Sequence, residues 1–166
     1  MNEPLVRKAT PLDLEEILRV YEQARQTMID RGNPSQWGKS YPPKEVIEND
    51  IKEGNLYVVT LNGDIHGVFA FILGEDPTYQ RIVKGNWISS SPYGTIHRVA
   101  SDGAIKGLFP LVLSYCLKVT HHLRMDTHED NLAMRHLALK YGFQECGVIF
   151  VKDGSPRIAF ERIESD

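Results

Sequence analysis

Apolar residues recur at two different spacings along the chain, and the spacing predicts which segments form helices and which form strands. Between Thr10 and Gly32, and again from 44 to 52, apolar residues return every three or four positions, which is typical of amphipathic helices. Other segments are alternately or continuously apolar over short runs bounded by turn residues, which is typical of strands. Two such runs flank Asn62-Gly63, a dipeptide suited to a tight hairpin.

The order of the predicted elements indicates the fold class. The chain reads as a strand at 5–9, the two helices, hairpin strands at 55–61 and 66–73, a strand at 95–100, a helix at 107–119, a strand at 122–127, a helix at 130–141, and a second hairpin at 144–152 and 157–163. Strands and helices are interspersed, but the hairpins break strict alternation. We therefore expect an α+β fold, in which helices pack on a mixed sheet and not on a purely parallel one.

The composition is that of an ordinary globular protein and narrows the classes of partner. Apolar residues make up 42% and charged residues 25% of the 166 positions, so the chain can bury a core. A formal charge of −3 gives no reason to expect nucleic acid or an anionic membrane as the main partner. The apolar runs are too short to span a bilayer, and the N-terminus lacks the apolar core of a signal peptide. We therefore expect a cytoplasmic protein in which Cys116 and Cys146 are free thiols.

The loop from Ser101 to Lys106, between a predicted strand and a predicted helix, has the features of a phosphate site. The first N–H groups of a helix lack internal partners, and the helix dipole adds about half a positive charge there. Gly103 and Gly107 leave room for a phosphate near these amides, and Lys106 adds a full charge. A strand–helix turn that needs glycine only for its backbone angles explains the same residues equally well.

Two common nucleotide-binding patterns are absent from this loop. A P-loop requires lysine and then serine or threonine after its last glycine, whereas Gly107 is followed by Leu108 and Phe109. The dinucleotide pattern G-x-G-x-x-G is absent as well. Both of these nucleotide interpretations are therefore weakened.

The order of motifs resembles the GNAT superfamily of acyl-CoA-dependent acyltransferases. In that family a strand ending in valine leads into a loop, R/Q-x-x-G-x-G/A, that opens a helix; here Val99 and residues 104–109 hold these positions. Downstream, the family pattern N-x-x-A-x-x-x-Y-x-x-x-G-F is matched in part by Asn131, Gly142 and Phe143. The resemblance covers nearly the whole chain. It implies a single GNAT-like domain over residues 1–166, with a twisted, mostly antiparallel sheet and helices on both faces.

The resemblance also implies acetyl-CoA as the co-substrate and points to the residues that would hold it. They lie at the end of the strand, in the loop and at the start of the two following helices: Val99, Gly103, Ala104, Ile105, Lys106, Gly107, Leu108, Phe109 and Asn131. A backbone amide at His97 or Val99, where two strands diverge, would bind the acyl carbonyl and the pantetheine. No pair of histidines has the spacing that places two imidazoles on one helix face, so we expect no metal.

Three residues depart from the family pattern. Ala104 stands where arginine or glutamine is usual, so one contact with the phosphates is missing while the backbone amides remain. Phe109 stands where glycine or alanine is usual, and its ring either blocks the pyrophosphate or turns inward. Ala138 replaces the tyrosine that often protonates the departing thiolate, and Tyr141, one turn later, is the candidate substitute.

Acyl transfer to an amine needs a base, because an ammonium group has no lone pair. His97 is the first candidate, since its strand would line the acyl site and imidazole titrates near neutral pH. Asp126 and His128, at the end of the next strand, are the second candidates, with Asp126 orienting an imidazole or an ammonium. Alternatively these two residues only end the strand, and Thr127 or Asp130 caps the next helix.

Trp37 and Tyr41 lie in the loop that borders the acceptor pocket in this family, so they either close over a substrate or anchor the loop to the core.

The function we expect is transfer of an acetyl group from acetyl-CoA to a primary amine in a small molecule or a peptide. The first alternative is a GNAT-fold module that binds or senses CoA with weak or no catalysis. The second is a protein that binds another phosphate ligand. The sequence leaves open the acceptor and the choice between a monomer and a homodimer.

Overall fold

One open sheet of seven strands runs through the computed structural model, which describes residues 3–164. The strands are β1 (Leu5–Lys8), β2 (Leu56–Leu61), β3 (Asp64–Leu73), β4 (Gly94–Ser101), β5 (His122–Thr127), β6 (Gln144–Phe150) and β7 (Pro156–Ile163). Within the same residues four α-helices connect them: α1 (Leu14–Asp30), α2 (Lys44–Lys52), α3 (Leu108–Leu117) and α4 (Leu132–Lys140). Short 3-10 turns lie at Pro11–Asp13 and Pro77–Tyr79. In this described part of the chain, no helix has both the length and the apolar character that crossing a bilayer requires.

The sheet is mixed and mostly antiparallel. Its spatial order is β1-β2-β3-β4-β5-β7-β6, and all neighbours are antiparallel except β4 and β5, which are parallel. Both predicted hairpins are present, β2–β3 and β6–β7, and Asn62 and Gly63 have the positive φ angles expected of the first turn. The expected α+β class is confirmed.

Apolar side chains project from both faces of the sheet, and helices pack against both faces. One face packs against α3 and α4 through a core that includes Phe69, Ile96, Leu123 and Phe160. Over β2–β4, the other face packs against α1 and α2 through Val58, Val68, Ala70 and Ala100. Over β5–β7, this second face is covered by the segment 74–93, whose Tyr79 and Tyr93 pack with Ile149 and Ala159.

Segment 74–93, between β3 and β4, is held against the sheet by close backbone contacts. Val83 forms an isolated antiparallel bridge with Val148 of β6. Nearby, Gly85 approaches β6 so closely that a Cβ atom there would lie 1.9 Å from the carbonyl oxygen of Cys146. Farther along, the N–H of Ile88 donates to the buried carboxylate of Glu161 in β7. These contacts fix the segment over the C-terminal half of the sheet.

β4 diverges from β5 soon after the two strands begin. They pair only over their first residues, ending with Thr95 opposite Arg124. On its other side β4 contains a bulge, in which residues 98 and 99 together lie opposite Phe69 of β3. The bulge bends β4, and the backbone edge of β4 that faces β5 has no strand partner beyond Thr95 in the described residues.

Arg98 holds this bulge in place. Its φ of 52° lies in the left-handed region, which costs a non-glycine residue roughly 1–2 kcal/mol. Two contacts with the α1–α2 layer offset this cost. The guanidinium makes two hydrogen bonds of 2.8 Å to the buried carboxylate of Asp50, and the hydroxyl of Tyr21 donates to the carbonyl oxygen of Arg98 at 2.9 Å. Burial raises the pKa of Tyr21 far above its usual value, so the hydroxyl keeps its proton.

The start of α4 corrects one expectation. The helix is capped by Asn131, and not by Thr127 or Asp130: the Oδ1 of Asn131 accepts the N–H of Met134 at 3.0 Å. Asparagine is among the best N-cap residues, because its side-chain oxygen reaches an amide of the first turn. Thr127 is turned away, since its hydroxyl donates to Gln36 in the loop between α1 and α2.

We predict that Asp50→Ala lowers the free energy of unfolding by about 3 kcal/mol, because it leaves the guanidinium of Arg98, whose side chain is only 14% exposed, without its partner. Urea unfolding followed by tryptophan fluorescence measures the loss. Glu48→Ala, on the exposed side of the same helix, is the matched control and is expected to change the free energy by less than about 0.5 kcal/mol. Equal losses in the two variants would contradict the role of the Arg98–Asp50 pair.

Candidate active site

Four polar side chains meet where β4 diverges from β5. His97 comes from β4, Asp126 from β5, and Asp76 and Tyr79 from segment 74–93. The imidazole lies between the two carboxylates: Nε2 is 2.8 Å from Asp76 Oδ2, and Nδ1 is 3.9 Å from Asp126 Oδ2. The side chains of His97 and Asp76 are 18% exposed and that of Asp126 is 10% exposed. The cluster is therefore accessible from solvent but largely shielded from it.

Asp76 is an ionised acceptor that fixes the tautomer of His97. Its Oδ1 accepts the N–H and the hydroxyl of Thr78 at 2.8 and 2.6 Å. Burial alone would raise the pKa of Asp76, but the hydrogen bonds from His97 and Thr78 outweigh burial and lower it to about 2. Because an ionised carboxylate only accepts, Nε2 of His97 carries the proton of the bond to Asp76. In the neutral imidazole the lone pair is then on Nδ1.

Asp126 stands beside this lone pair. The hydroxyl of Tyr79 donates to Asp126 Oδ2 at 2.6 Å. Burial, followed by the Asp126 charge, raises the pKa of Tyr79 well above its usual value, so the hydroxyl stays protonated and donates. The ring of Tyr79 is buried, and its centroid lies 5.9 Å from that of the imidazole. Nδ1 of His97 and the carboxylate of Asp126 thus present neighbouring acceptors, an arrangement suited to an ammonium group.

In the loop between β4 and α3, the first N–H groups donate to side chains of nearby residues, whereas, within the described residues, the later N–H groups do not. The N–H of Gly103 donates to Ser101 Oγ and that of Ala104 to Asp102 Oδ1, both at 3.0 Å. Among residues 3–164, the amides of 105–107 have no acceptor. Gly107 is the N-cap of α3 with φ of 72°, and Lys106 is exposed beside it. A phosphate would therefore meet residues 105–107 and the first turn of α3, while the amide of Ala104 is already bonded.

The ring of Phe109 turns inward, which resolves the choice that the sequence left open. Phe109 is buried, and its ring centroid lies 5.9 Å from that of Tyr141 and 6.4 Å from that of Phe143. It shares this core with the fully buried Ala138. The family pattern has a small residue at position 109 and tyrosine at position 138, whereas this chain has phenylalanine at 109 and alanine at 138. The N-terminus of α3 is therefore not blocked by the ring.

The structure places the remaining cofactor and catalytic candidates in different surroundings. Val99 and Leu108 contact the core of the α3–α4 face, and Ile105 is buried in it. Asn131 uses both polar groups internally, since its Nδ2 donates to Gln36 Oε1 at 3.1 Å while its Oδ1 caps α4. Tyr141 ends α4 and lines a shallow groove of about 290 Å³ along α3, on the face of the sheet opposite to His97. Of the proposed catalytic residues, only His97 and Asp126 are brought together.

The loop between α1 and α2 contacts both β4 and β5 beside the point where these strands diverge. Trp37 is buried and meets the ring of Tyr21 edge-on at 5.7 Å, so it anchors the loop to the core. Tyr41 is 38% exposed, and its hydroxyl accepts from Arg98 Nη1 at 3.4 Å. Gln36 links this loop to β5, because its Oε1 accepts a hydrogen bond from Thr127 Oγ1 at 3.1 Å. Tyr41 is the aromatic side chain of this loop that stays available to a substrate.

Sequence reasoning did not identify Asp76, Tyr79 or Gln36. Asp76 begins Asp-Pro-Thr, and its side chain accepts from the N–H of Thr78 as the cap of a short 3-10 turn. This pattern predicts a turn. It carries no information on His97, because that contact depends on the path of the whole segment 74–93 across the sheet.

Comparison with known proteins bears on the fold and on the family. The crystal structure of a GNAT family acetyltransferase from Streptococcus agalactiae is 30% identical, with a TM-score of 0.89 over 98% of this chain and 96% of that one. A GNAT family acetyltransferase from Bacillus cereus is 20% identical, with a TM-score of 0.63 over 99% of both chains. A ribosomal-protein-alanine N-acetyltransferase from Brucella melitensis is also 20% identical, with a TM-score of 0.60 over 96% and 99%. The last two show similarity of fold. No sequence-family model and no curated protein sequence matches the chain.

The Asp76–His97 pair predicts a specific loss of stability in acid. The pKa of Asp76 is about 2 in the folded chain against an ordinary value of 3.8. Its stabilising contribution is therefore complete above about pH 4 and is lost as the pH falls through 2. The difference in free energy of unfolding between the wild type and Asp76→Asn is expected to be about 2 kcal/mol at pH 5 and below about 1 kcal/mol at pH 2. Urea unfolding at a series of pH values measures it, and a difference independent of pH would contradict the ionised pair.

Proposed function

Because the chain belongs to the GNAT family of acetyltransferases, we propose that it transfers an acetyl group from acetyl-CoA to a primary amine by direct attack on the thioester. The observation that carries the proposal is the position of His97. Its Nε2 is committed to Asp76 and its Nδ1 is open beside Asp126, at the point where β4 leaves β5. This geometry suits a general base: Asp76 orients the imidazole, and Nδ1 faces the substrate next to the carboxylate of Asp126.

The loop between β4 and α3 supports acetyl-CoA as the donor. The amides of 105–107 lack partners within the described chain, and the positive end of the α3 dipole lies behind them. Lys106 adds a mobile charge at the same place. The inward orientation of Phe109 keeps the approach open. A pyrophosphate bound here would direct the pantetheine toward His97 along the edge of β4 that has no strand partner in the described part of the chain.

The reaction begins with deprotonation of the acceptor. An ammonium group at Asp126 passes one proton to Nδ1 of His97, and the imidazolium that forms lies between the carboxylates of Asp126 and Asp76. The free amine attacks the carbonyl carbon, forming the C–N bond and a tetrahedral oxyanion. A backbone amide of the β4 edge, at His97 or Val99, donates to that oxyanion.

Collapse of the tetrahedral intermediate breaks the C–S bond and releases the CoA thiolate. The nitrogen loses its second proton as the amide forms, and the departing thiolate takes up this proton to leave as the CoA thiol. Thiols have a pKa near 8.5, so a thiolate leaves without obligatory protonation by the enzyme. The mechanism therefore does not require a tyrosine at 138, and it does not rely on Tyr141 on the opposite face. Alanine at 138 is therefore compatible with catalysis.

The proposal is tested by separating donor binding from turnover. Acetyl-CoA at one hundred times its dissociation constant is expected to stabilise the wild type by about 2.7 kcal/mol, a rise in Tm of roughly 5–10 °C, while ADP and inorganic phosphate have smaller effects. His97→Asn is expected to keep the Kd for acetyl-CoA within about twofold and to lower turnover by about 10²–10⁴, measured as thiol release with a panel of primary amines.

The control for this test is His136→Asn, because His136 is exposed on α4 and lies outside the cluster. It is expected to leave both binding and turnover unchanged. Turnover by His97→Asn at the wild-type rate would remove His97 as the base. No stabilisation of the wild type by acetyl-CoA would remove acetyl-CoA as the donor.

A further inference from the structure

A cavity of about 460 Å³ lies beside the active-site cluster, between segment 74–93 and β5. Its size is within the range of small-molecule sites. The lining residues that matter here are Glu75, Tyr79, Gln80, Trp87, Tyr93 and Arg124. Tyr79 lies at the border with the active site, because it lines the cavity and its hydroxyl donates to Asp126. The cavity therefore adjoins the place where the amine would react.

Arg124 is a buried cation at the floor of this cavity, with only 5% of its surface exposed. Its Nε donates to Glu161 at 2.9 Å and its Nη2 to the carbonyl oxygen of Ser89 at 2.6 Å. The guanidinium also lies over the rings of Trp87 and Tyr93, with Cζ 4.0 Å from each ring centroid. These contacts hold the group in place at the cavity.

The remaining nitrogen of Arg124, Nη1, has no hydrogen-bond partner among residues 3–164. A guanidinium carries five N–H donors in one plane and is always charged. Because Nε has donated its one N–H and Nη2 has donated one of its two, both donors of Nη1 and one of Nη2 remain for a cavity ligand. An oxygen acceptor, best an anionic one, satisfies them.

The cavity is acidic where segment 74–93 begins. Glu75 lines it and is exposed, and the next residue, Asp76, is the carboxylate bonded to His97. Asp126 adds a further carboxylate at the hydroxyl end of Tyr79. The cavity therefore has unpartnered guanidinium N–H donors at its floor, where Arg124 is paired with Glu161, and carboxylates on the side of the base. This arrangement complements a molecule with an ammonium group at one end and a carboxylate at the other.

Strand geometry sets the distance between these two ends. Arg124 and Asp126 lie two residues apart in β5 and project to the same face, so their side chains start about 7 Å apart. An α-amino acid is too short for this span, because its amine and carboxylate are attached to the same carbon. An amine separated from its carboxylate by about four to six bonds reaches both positions.

We propose that the acceptor is an aminocarboxylate of this kind, an ω-amino acid or a diamino acid acetylated on its side chain, with its carboxylate on Arg124 Nη1 and its amine between His97 and Asp126. The proposal rests on the proposed acetyl transfer to an amine and names the class of acceptor. Trp87 and Tyr93 supply apolar walls for the methylene chain.

The test compares matched amines with the wild-type protein. We expect kcat/KM for 5-aminopentanoate to exceed that for pentylamine, 1,5-diaminopentane and glycine by at least about tenfold, since one charge-assisted bond to a buried guanidinium is gained. Equal or higher kcat/KM for pentylamine or 1,5-diaminopentane would overturn the proposal while leaving acetyl transfer to amines intact.

A variant on the rim avoids disturbing the buried Arg124–Glu161 pair. Gln80 is exposed and lines the cavity, so Gln80→Glu is expected to fold and to repel a carboxylate. It is expected to lower the ratio of kcat/KM for 5-aminopentanoate over pentylamine by about fivefold. Gln23→Glu, on the exposed side of α1, adds the same charge elsewhere and is expected to leave the ratio unchanged. An unchanged ratio in Gln80→Glu would count against the cavity as the site of the carboxylate.

Binding without turnover is measured separately, so that a failure of acetyl transfer does not decide this question. The chain has two tryptophans, and the indole N–H of Trp87 donates to the carbonyl oxygen of Tyr79 in the cavity wall. In a ¹⁵N-labelled protein, 5-aminopentanoate is expected to shift the Trp87 indole signal at lower concentration than pentylamine, while the signal of the buried Trp37 stays in place. Equal titrations by the two amines, or none by either, would overturn the proposal.

Discussion

The divergence of β4 from β5 sets the position of His97 relative to Asp126, and it depends on the conformation of Arg98. A left-handed residue inside a strand is unfavourable unless its surroundings hold it there. Here the carboxylate of Asp50 and the hydroxyl of Tyr21 do so from the α1–α2 layer. Within residues 3–164, the result is a strand edge without a strand partner, available to a thioester, and a histidine that faces across the gap to Asp126.

The site is assembled from parts of the chain that cover the same face of the sheet. The α1–α2 loop reaches across the divergence through Gln36, and segment 74–93 reaches it from the other side with Asp76 and Tyr79. Segment 74–93 is itself fixed by the buried Glu161, which accepts from Arg124, His122 and the N–H of Ile88. The position of Asp76, which orients His97, therefore depends on contacts that segment 74–93 makes with β5 and β7.

Much of the fold could be predicted from the sequence, because its signals are local. Apolar periodicity gave the helices, and Asn62-Gly63 indicated the first hairpin. His97 and Asp126 could be proposed because both lie on strands that the motif order places side by side. The pairing of Asp76 with His97 and the inward turn of Phe109 could not be derived. Each depends on how side chains from distant segments share one volume, and a single sequence does not record that packing.

The central claim is that Asp76 holds the Nε2 proton of His97, so that Nδ1 is the basic atom beside Asp126. The most direct test is ¹⁵N–¹H correlation spectroscopy of the imidazole nitrogens in a protein labelled with ¹⁵N-histidine, at a pH where His97 is neutral. The account predicts that Nε2 of His97 carries the proton and that Nδ1 gives the signal of an unprotonated nitrogen. A proton on Nδ1 would contradict it, because the lone pair would then face Asp76 and no base would face the substrate.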